Sequence, residues 1–235
     1  MELKRITDYL DGYLHIGDFR DDSANGLQVE NNGKVEKIGL AVDACYESIV
    51  KSSDAGCNLL IVHHGLFWGK QELIKSIHFK RIRSLVTSDI ALYAVHLPLD
   101  AHPEVGHNIE IARKIGLDNT EPFAEYYGKP IGMRGKVQTA KSLGETAREV
   151  EKAIGHCRAL LEFGSDTIHS IGIVSGSATE PALFRELKDE GIDLFVTGEP
   201  KHGAYYLAQE LELNIFYGGH YVTETFGMKA LGRRI

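Results

Sequence analysis

The chain has 235 residues, 43% of them hydrophobic and 25% charged, with a formal charge of −7 at pH 7. That length can bury an ordinary core and hold one large domain or two small ones. No apolar run reaches the roughly 18 residues of a membrane span, and the negative balance disfavours binding of nucleic acid or a membrane surface by the chain as a whole.

Residues 1–10 mix acids with apolar positions and lack a small-residue cleavage site, so they read as a first amphipathic helix and not as a signal peptide. Cys45, Cys57 and Cys157 are odd in number, widely spaced and form no C-x-x-C. They imply reduced thiols and a cytoplasmic setting, and disfavour a thiolate metal site. Residues 23–29 (Ser-Ala-Asn-Gly-Leu-Gln-Val) carry Asn-Gly, a strong turn signal, followed by a short strand.

The next segments come twice. Residues 37–43 form an apolar strand, 46–55 a helix, and 56–64 a glycine stop followed by a buried strand; 170–176, 181–190 and 191–199 repeat the series. In each half a further helix (77–87; 202–212) leads to another apolar strand (91–97; 213–217). This alternation predicts βαβ units with right-handed crossovers and mostly parallel sheets, and it suggests internal duplication. Residues 125–130 are rich in turn formers and mark a boundary, giving domains of 1–127 and 128–235. Beyond it lie a strand near 133–138, a helix opened by the capping box Ser142 to Glu145, a strand near 157–163 and a short last helix.

Metal-type side chains sit where these apolar strands end. His63 and His64 follow residues 58–62; Asp100 closes residues 91–99; His220 ends residues 214–219, with Glu224 four positions on. In open α/β folds ligands bind beyond the carboxyl ends of the strands. A lone histidine there is commonly a hydrogen-bonded rim residue, but a doublet after a wholly apolar strand favours ligation. Gly65 breaks the strand, so the two imidazoles splay. A helix starting near Thr223, with Thr223 as N-cap, puts His220 and Glu224 on one side of its entrance. Imidazole and carboxylate without thiolate suit zinc, iron, manganese, cobalt or nickel. Five donors exceed the three of a mononuclear catalytic site, so a bridging carboxylate, Glu224 or Asp100, would hold two divalent cations per chain. His96, His102, His107 and His202 remain as orienting or proton-carrying groups. Residues 172–178 resemble a phosphate-binding turn only loosely, and Ser175 and Ser177 lack His-Asp partners in a nucleophile-elbow context.

Residues 23–29, His63-His64 with Phe67-Trp68-Gly69-Lys70, residues 97–100 (Leu-Pro-Leu-Asp), residues 197–202 (Thr-Gly-Glu-Pro-Lys-His) and residues 219–224 (Gly-His-Tyr-Val-Thr-Glu) together resemble the NIF-three-like family, also called GTP cyclohydrolase I type 2 homologues, in the family's order. The resemblance implies an α/β fold of two related, intertwined domains with a dinuclear metal site in the cleft between them, the C-terminal segment returning to that site, and a toroidal homohexamer. It carries metal ligation onto His63, His64, Asp100, His220 and Glu224. The chain differs in having Gly65 after the His pair, where many relatives have proline. The enzymatic label implies a metal-dependent hydrolase acting on a nucleotide-like ring, for example at C8 of guanine, with His96 and His202 as proton carriers. Alternatives are a metal-binding or metal-delivery protein without turnover, and a ring-shaped scaffold admitting single-stranded nucleic acid, which needs a basic lumen. Tyr126, Tyr127, Tyr205 and Tyr206 are of the type enriched at subunit interfaces.

Overall fold

The computed structural model describes residues 1–70 and 72–235. The chain divides into two compact units, Met1–Leu99 with Ile235, and Asp100–Arg234. The boundary anticipated at 127/128 falls instead in the turn of a β-hairpin. Strands either side of that turn pair with each other, which ties both into one unit.

The first unit opens with α1 (Leu3–Leu14), which ends at His15 in a left-handed conformation. Then come β1 (Gly26–Val29), β2 (Ile38–Asp43), α2 (Tyr46–Asp54), β3 (Leu59–His64), α3 (Ser76–Thr87) and β4 (Ala91–Ala94). The sheet order is β1-β4-β3-β2. β2, β3 and β4 are parallel neighbours, and β1 is added antiparallel to β4. β3 and β4 are apolar throughout their paired stretch because both faces are covered. Leu60, Val62, Leu92 and Ala94 pack with Ile49 of α2 and Leu85 of α3. Each fully buried side chain of this size contributes roughly 1.5–3 kcal/mol of transfer free energy. From β4, the buried Tyr93 donates its hydroxyl to Asp11 Oδ1 on α1 at 2.7 Å.

The short helix α4 (Leu97–Asp100) carries the chain into the second unit. There follow α5 (His107–Ile115), β5 (Asp118–Tyr126), β6 (Lys129–Ser142), α6 (Leu143–Ile154), β7 (Ala159–Glu162), β8 (Thr167–Val174), α7 (Pro181–Asp189), β9 (Leu194–Thr197), α8 (His202–Glu210), β10 (Asn214–Tyr217), α9 (His220–Thr223) and α10 (Thr225–Arg234). The sheet order is β5-β6-β8-β9-β10-β7. Its β8-β9-β10 core is parallel as expected of βαβ units, and antiparallel strands extend it on both sides. Period-two alternation divides the core between the faces. Leu194, Val196 and Phe216 pack with Leu143 and Val150 of α6, whereas Phe195, Ile215 and Tyr217 pack with Phe184 of α7 and Ala204 of α8. The capping box at α6 forms as its sequence requires: Ser142 Oγ accepts from Glu145 N, and Glu145 reaches back to Ser142 N.

Two local expectations change. β4 ends at Ala94, so Asp100 is the last residue of a helical turn and not the close of a strand. The break comes at His96, whose N–H donates to Asn25 Oδ1 and so leaves the ladder. The helix after β10 starts at His220, with Gly219 as its N-cap. Thr223 is therefore not a cap; its hydroxyl donates back to the His220 carbonyl at 2.8 Å and accepts from Gly176 N at 3.0 Å.

Candidate metal centre

In the first unit three imidazoles converge at the carboxyl ends of β3 and β4. A nitrogen from each of His63, His64 and His96 lies within 4.8 Å of the other two. Their ring centroids are 4.7 Å (His63–His64), 5.0 Å (His63–His96) and 5.6 Å (His64–His96) apart. Each ring has its Nδ1 held by an oxygen. His63 Nδ1 lies 2.9 Å from the Val95 carbonyl, His64 Nδ1 2.9 Å from Asp43 Oδ1, and His96 Nδ1 2.9 Å from Asp21 Oδ1. Carbonyls and carboxylates only accept, so in the neutral ring Nδ1 carries the proton and Nε2 keeps its lone pair. Such a partner on the far nitrogen is what orients histidines that ligate metals.

Asp21 is the most heavily engaged of these partners. Its carboxylate also accepts from Ser23 N, Asn25 Nδ2 and Leu97 N, each at 3.0 Å. Burial pushes the Asp21 carboxyl up, but His96 and the other donors outweigh burial and hold it at about 2. Asp21 thus holds the His96 ring and Asn25 its backbone N–H; the turn expected at Asn25-Gly26 does not form, because Gly26 already begins β1.

In the second unit the donors stand on the one-turn helix α9 and near α4. His220 Nε2 is 3.0 Å from Glu224 Oε1, and His220 Nδ1 is 3.4 Å from Glu199 Oε2. The Glu224 hydrogen bond raises the His220 pKa, opposed by burial and assisted by Glu199. Glu224 is only 3% exposed. Gly176 (φ +70°) makes room for it, because a Cβ there would collide with the Glu224 carboxylate. A Cβ on Gly198 would in turn strike the Gly176 carbonyl. Asp100 Oδ1 accepts from Ser175 Oγ at 2.7 Å, and Asn108 bridges the Asp100 carbonyl and Ser175 N.

The remaining histidines separate by tautomer and position. His107 Nδ1 accepts from Gly227 N at 2.9 Å, and His102 Nδ1 accepts from Glu104 N and Val105 N. In the neutral form each ring therefore carries its proton on Nε2. His202 is exposed at the first residue of α8, its ring edge-on to Tyr206.

The side chains that hold the candidate donors include Asp21, Asn25, Asp43, Ser175 and Asn108, partnerships that no local sequence signal marks. Ser175 was passed over as a nucleophile without partners; its hydroxyl instead donates to a carboxylate 75 positions earlier in the chain. The donor chemistry fits a divalent cation: imidazoles with proton-free Nε2 atoms in one unit, and in the other a buried carboxylate in a glycine cradle beside an imidazole.

The chain is thus built of two α/β units of repeated topology and carries groups of imidazole and carboxylate side chains that could hold a metal ion. The chain matches the family described as Duf34/NIF3 (NGG1p interacting factor 3) over residues 1–235, and it belongs to that family. It is 42% identical over 231 residues to a protein of Archaeoglobus fulgidus named GTP cyclohydrolase 1 type 2 homolog, covering 98% of this chain and 91% of that one. A protein of the same name from Deinococcus radiodurans is 39% identical over 230 residues, covering 98% and 87%. Among solved structures, a crystal structure of a Thermus thermophilus protein shares 42% identity with a TM-score of 0.89, covering 100% of this chain and 93% of that one. No described helix is long and apolar enough to cross a membrane.

Proposed function

We propose that this chain binds two divalent cations through His63, His64, Asp100, His220 and Glu224 and acts as a metal-dependent hydrolase on a nucleotide-like ring. The observation that carries the reading is the convergence of His63, His64 and His96, three imidazoles whose Nδ1 atoms are tied to oxygen acceptors. Zinc, iron, manganese, cobalt and nickel all suit this donor set. Bound cations of this kind supply Lewis-acid polarisation and acidify water.

The residues divide the work by geometry. Val95 and Asp43 orient His63 and His64, and Ser175 orients the Asp100 carboxylate. His96, held through Nδ1 by Asp21, takes up and returns a proton at Nε2. His202 is the second proton carrier; what supports it is its place three residues after Glu199, whose carboxylate faces His220. The assembly is a homohexamer, a reading supported by the exposure of Tyr127, Tyr205 and Tyr206. A light-scattering mass near 26.0 kDa would contradict that assembly.

The test is metal analysis of protein purified without added metal, with GTP turnover measured on the same sample and on His64→Ala. Turnover that follows metal content and vanishes in His64→Ala is expected. Full metal content with no turnover would replace the hydrolase by a metal-binding or metal-delivery protein.

A further inference from the structure

A cavity of about 390 Å3 in the first unit is lined by Phe67, Trp68, Lys70, Glu72 and Ile74, with Ala24 and Gly69. Trp68 ties it to the imidazoles. Its ring lies 4.9 Å from His96 in an edge-to-face arrangement and 5.8 Å from His64. The indole is held in place, since Trp68 Nε1 donates to the Gly65 carbonyl at 3.0 Å. Its backbone is pinned as well. Ser23 and Trp68 form an isolated antiparallel bridge, Ala24 N donates to the Phe67 carbonyl at 3.0 Å, and Gly69 N to the Asp22 carbonyl at 2.6 Å. The segment that clamps His96 therefore also sets the indole, so the two rings keep their spacing without help from a ligand.

We infer that this cavity is the subsite for the ring of a nucleoside phosphate, with Trp68 as its stacking platform. The inference rests on the hydrolase reading above for the choice of substrate class, and it adds where and by which residues the ring is held. A tryptophan face stacks on any nucleobase. Lys70 on the rim supplies a cation for the phosphate, and Glu72 supplies an acceptor for ring N–H groups. A base seated there has His96 beside it, which is where a proton carrier for ring chemistry is needed.

Trp68 is the only tryptophan in the chain, so the tryptophan fluorescence comes from this subsite. The experiment uses the full chain stripped of metal and titrated with GMP, guanosine and ribose 5-phosphate. GMP and guanosine are expected to quench saturably, and ribose 5-phosphate to leave the emission unchanged. Lys70→Gln is expected to weaken GMP several-fold and leave guanosine as it was. Equilibrium dialysis of Trp68→Leu with radiolabelled GMP is expected to show about a tenfold loss of affinity. Absence of saturable quenching at millimolar GMP, or wild-type GMP affinity in Trp68→Leu, would overturn the subsite. Because the titration needs no metal, quenching by GMP without later turnover of the loaded protein would uphold the subsite and sink the hydrolase.

Discussion

The two units follow one path, α1-β1-β2-α2-β3-α3-β4 in the first and α6-β7-β8-α7-β9-α8-β10 in the second, with strand orders β1-β4-β3-β2 and β7-β10-β9-β8. Leu59 pairs with Ala91 as Leu194 pairs with Asn214. Counted onward along the strands, His63 and His64 correspond to Gly198 and Glu199, and His96 corresponds to Gly219. The first unit puts imidazoles at its strand ends. The second puts glycines at two of those places and brings its donors in from the helical turn beyond β10. One scaffold thus carries a rim of imidazoles in one copy and a glycine-lined hollow in the other.

Variants that swap these characters test the comparison most sharply. Glu224→Ala removes the buried carboxylate that the hollow accommodates and is expected to leave the chain unable to retain either cation. Its loss should exceed that of His63→Ala or His64→Ala when metal content is measured after gel filtration. Full occupancy in Glu224→Ala would remove its bridging role.

Gly176→Ala fills the hollow directly. Left-handed strain and the collision with Glu224 together should cost about 3 kcal/mol. Gly56→Ala in the first unit has a matching φ of +71° but no atom within 4 Å of the added Cβ. It should cost about 1 kcal/mol, with metal content unchanged. Urea denaturation of the pair separates strain from crowding; equal costs would show that the cradle is ordinary turn geometry.

On the rim, Asp21→Asn is expected to destabilise the fold by about 2 kcal/mol at neutral pH. Folded Asp21 titrates at about 2, below its unfolded value of 3.8. Its contribution is therefore fully present above that unfolded value and is lost as the pH falls toward 2. The difference between variant and wild type should shrink over that window, and a pH-independent difference would argue that the Asp21–His96 contact does not set it. Ser175→Ala, which deletes a single hydrogen bond to Asp100, should cost only about 1 kcal/mol.

The same comparison explains what the sequence made legible. Apolar runs, glycine stops and the capping box at Ser142 are local signals, so the repeated strands and helices could be located within a few residues. The candidate donors stand out in the sequence because His63-His64 and His220 follow apolar strands, where an open α/β fold places its rim. The one-turn helices α4 and α9 escaped notice because four residues are too few to show a helical period. The supporting partners escaped for another reason. Asp21 meets His96, Asp43 meets His64 and Ser175 meets Asp100 across 75, 21 and 75 positions of chain. Each is an ordinary turn or loop residue until the fold closes. The division at Leu99/Asp100 was hidden likewise, since a turn-rich stretch near 127 marks a hairpin as readily as a linker.

The central claim is that His63, His64, Asp100, His220 and Glu224 hold a pair of cations. Elemental analysis of fully loaded, gel-filtered protein tests it most directly. The account predicts two divalent cations per chain in the wild type, fewer in His64→Ala and none in Glu224→Ala; a wild type that holds one cation or none would contradict it.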